Sequence, residues 1–513
     1  MHMQLVFLSA LGLLFIRLLL YFYHLTTSPL KDIPGPFLAR FTKWWYFYRV
    51  FRGHFERDNI SLHRRLGPIV RIAPDHYSIN DPSAIKTIYG IGSNFPKSDW
   101  YEGWKHPSPD RWTLFPERNM KRHAETRKRF QSMYSMTSLV SYEPYVDDCA
   151  DLFETRLREF AQAERELDIA HWFQCYAFDV IGHITFGERF GFLDRGEDIN
   201  GALAALQNTM VYSTLIGIFA KWHPILFGPM SRFKWSGAAG RAFIMKFVQG
   251  IISRRKAKEP EEGEISRDVS GPQDFLGKMM QAHRENPEKV TDYHIFMMGQ
   301  SNIIAGSDTT SISLSSILYY LVHNPETMRK LRDEIAQFDA EGRCDIKTTF
   351  KQSQEMPYLQ AVIKEALRMH SATGLPLWRV VPDGGSEISG RFFPAGTVVG
   401  VNTWVAHYND DVFADAMKFQ PERWLDAQRD PKNLKDMEAY YMPFGLGSRT
   451  CLGKHISILE MSKLIPRVVR LFEFQPVERG WDTLNYWFVK PTSFKLRVRL
   501  RGTDGKTVSS DWI

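Results

Sequence analysis

At 513 residues, with 44% hydrophobic and 14% aromatic side chains, the chain carries enough apolar surface to build a large core. Its formal charge of +7 is modest for that length and does not mark a nucleic-acid binder. The four cysteines, Cys149, Cys175, Cys344 and Cys451, are scattered without a C-x-x-C pair, which argues against a disulfide framework or a zinc site and fits a reducing compartment.

Leu5 to Tyr23 is a mostly apolar run whose single charge is Arg17. It is long enough to span a bilayer, and Arg17 can snorkel to the interface. No basic stretch precedes it and no small-residue cleavage site is evident, so it reads as a retained anchor rather than a signal peptide. Lys31, Arg40 and Lys43 follow it, which predicts a cytosolic body. The expected division is an anchor over 1–28, a proline-stiffened hinge over 29–36 (ending Ile33-Pro34-Gly35-Pro36) and a body over 37–513. Within the body, Phe41, Trp44, Trp45, Phe47 and Tyr48 form an interfacial aromatic cluster.

Strand-like patterns occur near 68–80, over 386–402 and near 472–500. Apolar residues at three- and four-residue spacing predict helices over 143–164, 171–187, 200–221, 236–256, 274–284, 325–337 and 353–370. The charged stretch 254–272 reads as a solvated loop. Arg118 to Arg129 holds six Arg or Lys residues against Glu125; it is a basic surface able to steer an acidic partner, or simply a solvated basic helix. The sum is a mainly α body with small β-sheets.

Thr291 to His323 predicts one helix of roughly 50 Å, stopped by Asn324-Pro325. Its middle, Ala305-Gly306-Ser307-Asp308-Thr309-Thr310, is poor helix-forming sequence and a place where a helix can kink. Asp308 is the only Asp, Glu, Lys or Arg between residues 293 and 325, and Ile304 and Ile312 flank it at helical spacing. A buried carboxyl beside the Thr309 hydroxyl is a proton-transfer device. Ser301, Ile304 and Ala305 share the face of Thr309.

Phe444-Gly-Leu-Gly-Ser-Arg449-Thr-Cys451-Leu-Gly453 places one cysteine in a glycine-rich loop. Glycines let backbone amides approach a sulfur and a flat macrocycle without Cβ clashes. Such a loop suits a thiolate ligand to haem iron, with Phe444 covering the sulfur and Arg449 pairing with a haem propionate. The bland alternatives are a buried structural cysteine or a degenerate phosphate loop.

F-x-x-G-x-R-x-C-x-G resembles the signature of the cytochrome P-450 superfamily, and 305–310 resembles its (A/G)-G-x-(D/E)-T-(T/S) motif, with every specified position filled. Glu365-Ala-Leu-Arg368, then Pro421-Glu-Arg423, then the cysteine loop repeat the family's motif order. The resemblance implies the cytochrome P-450 fold, one large haem domain behind a transmembrane helix, with haem b on Cys451. It further implies that Thr309 hydrogen-bonds bound dioxygen while Asp308 relays protons. Glu365, Arg368 and Arg423 would form a buried ion network, and His123, Arg127 and Arg379 would clamp the propionates. The 96–116 stretch (Trp100, Tyr101, Trp104, Trp112), residues 484–489 and the 205–222 helix would line an apolar substrate pocket. Nothing in the chain reads as a flavin or nicotinamide site, so NADPH–cytochrome reductase is the expected electron donor. The proline-rich hinge after a short anchor resembles fungal microsomal class II members, which implies a single-pass endoplasmic reticulum protein. Asp179 to Gly187 with the following Phe-Gly-Phe resembles the group that includes pisatin demethylase. The expected reaction is oxygen insertion into a C–H bond of an apolar metabolite. A reductase-independent isomerase or dehydratase, or a non-catalytic haem-binding protein, would not need the intact Asp308–Thr309 pair.

Overall fold

One long helix crosses the body, and the remaining elements are laid against it. The computed structural model describes residues 27–257 and 273–502, together with Gly12 and Ile16. Apart from those two positions and residues 27–28, the segment expected as an anchor lies outside the described residues, as do residues 258–272 of the expected solvated loop. Among the described residues no single helix is long and apolar enough to cross a membrane. The 29–36 segment is packed onto the body. Leu30 and Ile33 are buried, the Pro34 carbonyl accepts the Arg71 amide at 2.8 Å, and a Cβ on Gly35 would strike the Arg71 carbonyl.

In chain order the helices that build the site are α1 (Trp44–Phe51), α2 (Phe55–Leu66), α3 (Met120–Phe130), α4 (Glu143–Gln162), α5 (Ile169–Phe186), α6 (Ala202–Ile218), α7 (Gly237–Ala257), α8 (Asp292–His323), α9 (Pro325–Ala340), α10 (Pro357–Met369) and α11 (Lys454–Leu471). α8 begins with a capping box between Thr291 and His294 and stops at Asn324, where Pro325 opens α9. Its glycine- and threonine-rich middle does not kink. Thr309, Ser313 and Ser315 return their hydroxyls to carbonyls one turn back, and α5 braces the opposite side. Gly306 serves close approach rather than bending, since a Cβ there would sit 2.8 Å from Ile181 Cγ1. α5 is apolar around most of its circumference and nearly all buried, as a core helix must be.

The strands form small sheets. β1 (Ile69–Ala73) and β2 (His76–Ile79) make a hairpin, β3 is Glu166–Asp168, and β4 (Arg379–Val380), β5 (Ser386–Ile388), β6 (Arg391–Phe393) and β7 (Val398–Gly400) follow α10. β8 (Phe472–Pro476), β9 (Thr483–Tyr486), β10 (Phe488–Pro491) and β11 (Lys495–Leu500) close the chain. The sheets have the orders β1-β2-β7-β4, β3-β11-β8, β5-β6 and β9-β10. The helix expected over 353–370 is two: Phe350–Gln354 ends before Pro357 starts α10, because proline favours a first helical turn and disfavours helix just before it.

The Glu365 network forms as expected. Arg368 meets the Glu365 carboxylate with two bonds of 2.9 and 2.8 Å, Arg423 Nε adds a third at 2.9 Å, and Trp424 Nε1 a fourth at 2.9 Å. The remaining guanidinium hydrogens reach the carbonyls of His407, Ala416 and Ala414. A buried charge is tolerated when jointly satisfied, and removing one partner strands the others. Glu365→Ala is therefore expected to cost about 3–5 kcal/mol in chemical denaturation. Arg329→Ala, which removes an exposed pairing with Glu326 and Asp333, should cost far less. Similar losses for the two would contradict the network's role.

Candidate active site

The cysteine loop is shaped by two glycines in left-handed conformations, Gly445 (φ +67°) and Gly447 (φ +60°). Gly447 is doubly required, because a Cβ there would also strike the Tyr89 carbonyl. The Cys451 amide donates to the Phe444 carbonyl at 2.7 Å, and the Thr450 hydroxyl reaches the carbonyls of Phe444 and Gly445. This folds Phe444, half-buried, against the cysteine turn, with Lys454 Nζ 5.8 Å from its ring. Cys451 lies immediately before α11, so its sulfur meets the amides of Gly453 and Lys454 at a helix N-terminus. Burial pushes the thiol up, and those amides together with the Arg127 guanidinium pull it back toward the anion. The other three cysteines are buried, whereas Cys451 is accessible despite the protein around it; its sulfur opens into an internal cleft.

α8 borders the same cleft, tied to α11 by the Thr310–Ser457 hydroxyl pair at 2.9 Å. Ser301, Ile304, Ala305 and Thr309 are open or half-open on this helix, while Asn302, Ile303, Ser307 and Asp308 are buried. The Thr309 hydroxyl donates to the Ala305 carbonyl at 2.7 Å. Asp308 is only 1% exposed and turns the other way, toward α5 and β10. Its Oδ1 accepts from Gln174 Nε2 at 2.5 Å and Lys490 Nζ at 3.1 Å. The carboxyl is buried, as the sequence predicts, but no hydrogen bond among the described residues joins it to Thr309. Adjacent helical residues point about 100° apart, and the Asp308 side follows the better partners.

A group of basic residues lines one edge of the cleft. Arg127 Nη1 donates to the Thr450 carbonyl at 2.7 Å, and Arg449 Nη1 donates to the Glu117 carbonyl at 2.7 Å. Arg379 is buried and spends one nitrogen on the carbonyls of Leu377 and Trp378. Lys97, which sequence reasoning missed, is buried with its ammonium on the Phe115 carbonyl and 4.3 Å from the rings of Tyr101 and Phe115. Its only local signal is a lysine inside an aromatic stretch, and its significance depends on distant Arg379 and Arg449. Among the described residues none of these four cations has a carboxylate partner, and Arg449 Nη2 is buried with no partner at all. They repel one another: burial and then Arg379 and Arg449 hold Lys97 well below the usual lysine range. Burial, followed by Arg449, Lys97, Arg127 and Arg379, pulls His123 down to about 3, so it is neutral.

Four unpaired cations beside an accessible thiol call for a ligand bearing two carboxylates and a metal ion. Haem b has that chemistry, and the donor set fits it: Cys451 for the iron, and Arg127, Arg379, Arg449 and Lys97 for the propionates, with neutral His123 beside them.

The expected aromatic wall is resolved into parts. Trp100 and Tyr101 are buried, Trp104 is half-buried, and Trp487 joins them with ring centroids 5.0 Å from Trp100 and 5.9 Å from Trp104; Phe115, exposed by 38%, lies 5.8 Å from Trp487. Trp112 is not part of this group; it packs 4.9 Å from the Arg122 guanidinium and beside Tyr293. The basic run divides similarly: Arg127 turns inward, Arg118 and Arg122 pair with Glu102 and Glu117, and Lys121 and Lys128 remain exposed.

The family model for cytochrome P450 matches residues 34–497. Pisatin demethylase of Fusarium vanettenii is 39% identical over 490 residues, covering 94% of this chain and 92% of its own. A cytochrome P450 monooxygenase of Aspergillus terreus is 38% identical over 455 residues, 86% of this chain and 90% of its own. The cytochrome P450 monooxygenase gsfF of Penicillium aethiopicum is 34% identical over 499 residues, 94% and 96% of the two chains. A thiol held at a helix N-terminus, a clamp of unpaired cations and these matches agree, and the chain belongs to the cytochrome P450 family, the haem-thiolate monooxygenases.

Proposed function

We propose that this monooxygenase inserts one oxygen atom from dioxygen into a C–H bond of an apolar, aromatic-rich small molecule of fungal secondary metabolism, giving hydroxylation, O-demethylation or multistep oxidation. The observations that support this reading are the accessible Cys451 thiol at a helix N-terminus beside buried basic residues, and the adjacent pair on α8 of a half-exposed Thr309 and a buried Asp308. The names of the relatives, pisatin demethylase among them, support the metabolic setting. Haem, when bound, supplies thiolate-assisted cleavage of the O–O bond. The chain's own residues hold it and feed it. Cys451 would take the iron, the Gly453 and Lys454 amides favour the anionic sulfur, and Arg127, Arg379, Arg449 and Lys97 would neutralise the propionates. Thr309 offers a hydroxyl to the oxygen side. Asp308 holds an exchangeable charge whose Lys490 partner is 26% exposed, which gives protons a route from solvent to α8. The Trp104, Phe115 and Trp487 rings keep water from the apolar wall.

NADPH–cytochrome reductase is the proposed donor, docking at the cysteine side, where Lys121, Lys128 and Lys454 are exposed. The protein is proposed to be held at the endoplasmic reticulum by Leu5–Tyr23 with its body in the cytosol. Exposed Phe37, Leu38, Trp44 and Tyr48 would rest on the bilayer, with Trp222, Ile225 and Trp235 beside them; Trp44 touches the second group's segment through Phe219, at 4.6 Å between ring centroids.

With reductase, NADPH and labelled dioxygen, turnover of a methoxylated aromatic substrate should place one labelled oxygen per event, and Asp308→Asn should slow it by ~10²-fold while haem content stays unchanged. Peroxide carries its own protons, so peroxide-driven turnover should fall much less; equal losses by both routes would instead mean a damaged pocket. Removing residues 1–28 should release much of the protein from membranes on fractionation without changing the haem spectrum, and loss of haem would mean that the body begins earlier.

A further inference from the structure

The β9–β10 hairpin carries Lys490, which pairs with Asp308 behind α8, and Trp487, which packs in the aromatic group with Trp100. Tyr486 pairs with Phe488, so Trp487 alone makes the turn, with φ +79°. That conformation is costly for a bulky side chain and persists only where the surroundings hold it. The holding contacts converge on Asn485. The Gly374 amide donates to the Trp487 carbonyl at 2.9 Å, and the Gly374 carbonyl accepts Asn485 Nδ2 at 3.0 Å. A Cβ on Gly374 would collide with the Asn485 side chain. From behind, the Gly53 carbonyl accepts the Asn485 amide at 2.8 Å, Arg57 Nη2 donates to Thr483 Oγ1 at 3.1 Å, and Asn485 Nδ2 donates to Glu56 Oε2 at 2.7 Å.

Glu56, on α2, is fully buried. Its Oε1 has no hydrogen-bond partner, with Arg57 Nε 3.5 Å away, and Asn485 Oδ1 has none either. Both orphans are acceptors, so this buried pair lacks one donor, and a proton on Glu56 would supply it. Burial raises the carboxyl to about 7; the Asn485 amide, the helix backbone and Arg57 oppose the rise, and Asp58 adds to it. Of the charged residues on its own helix, Arg57 and Asp58 act on it, while Arg64 and Arg65 lie at the helix's far end. β9 presents the neutral Asn485 and Thr483, and the 370–375 segment contributes His370, which burial holds at about 4 and therefore neutral. Because the folded value lies above the ordinary carboxyl value of 4.5, the proton stays on in the folded protein where the unfolded chain has lost it. The stabilising effect of protonation is thus fully present below the ordinary carboxyl value of 4.5 and is lost as pH rises through about 7.

We propose that Glu56 and Asn485 form a buried latch that positions the β9–β10 hairpin, closed when Glu56 carries a proton and slackened when it does not, and so sets how firmly buried Trp487 backs the exposed Phe115 ring that an aromatic substrate would meet. The inference rests on the reading of the cleft as the haem and substrate site. Hydrogen exchange of the full-length holoenzyme at pH 6 and pH 8, corrected for intrinsic rates, tests it directly. Peptides spanning 482–491 should exchange about fivefold faster at pH 8, the change expected for one lost hydrogen bond. Glu56→Gln, whose amide keeps a donor at every pH, should stay slow at both. Spectral titration with 4-phenylimidazole should show binding weakened about fivefold at pH 8 relative to imidazole, which is too small to reach the wall, and Glu56→Gln should abolish that change. A wild-type hairpin with the same exchange at both pH values overturns the latch whether or not the variant folds, as does a Glu56→Gln protein that keeps the wild-type response. If neither azole shifts the spectrum, the haem reading fails, and the exchange result still judges the latch.

Discussion

Burying a thiolate is the constraint on which the rest of this structure depends. An anion away from water needs compensation from fixed dipoles, nearby cations and a metal ion. The chain provides the first two at Cys451, through the amides that open α11 and through Arg127. It also creates the opposite imbalance at the cleft edge, where Lys97, Arg127, Arg379 and Arg449 stand together with no carboxylate in salt-bridge contact among the described residues, the nearby Glu117 being paired with Arg122. Each imbalance is costly alone. A haem with its iron and two propionates would answer both.

The frame around that centre is built to keep it still. The Glu365–Arg368–Arg423 network ties α10 to the segment before the cysteine loop with bonds that leave the carboxylate fully satisfied. α8 forms the other wall as an unbroken rod, with Gly306 letting α5 approach closely. Two adjacent polar residues on it face different ways, Thr309 half-exposed with its hydroxyl on the Ala305 carbonyl and Asp308 buried against Gln174 and Lys490. Placing the acid behind the helix keeps a charge out of an apolar pocket while leaving it linked to a half-exposed lysine.

Short, dense motifs make the centre of this site legible from the amino-acid order alone. Cys451, Arg449 and Phe444 sit within a few residues of one another, and Asp308 is a lone charge in an apolar helix. The long helices are legible from their periodicity. The rest depends on distant pairings. Lys97 matters only because the fold brings it to Arg379 and Arg449, and Lys490 only because β10 crosses α8. Glu56 looks like one more charged residue in the amphipathic α2 until Asn485 and Gly374 arrive from the far end of the chain. The direction of the Asp308 side chain likewise follows from α5 and β10, which the local sequence does not contain. α8 continues as one helix through its poor helix-forming middle because propensity describes an isolated helix, whereas this one is packed against α5.

The central claim is that Cys451 is the thiolate under the iron. The reduced carbon monoxide complex measures it most directly, since only a thiolate trans to the ligand produces the strongly red-shifted Soret band of this family. The wild-type protein should show that band, and Cys451→Ser, whose hydroxyl is far less acidic than the thiol, should lose it together with reductase-driven turnover. A Cys451→Ser protein that keeps the red-shifted band would contradict the account.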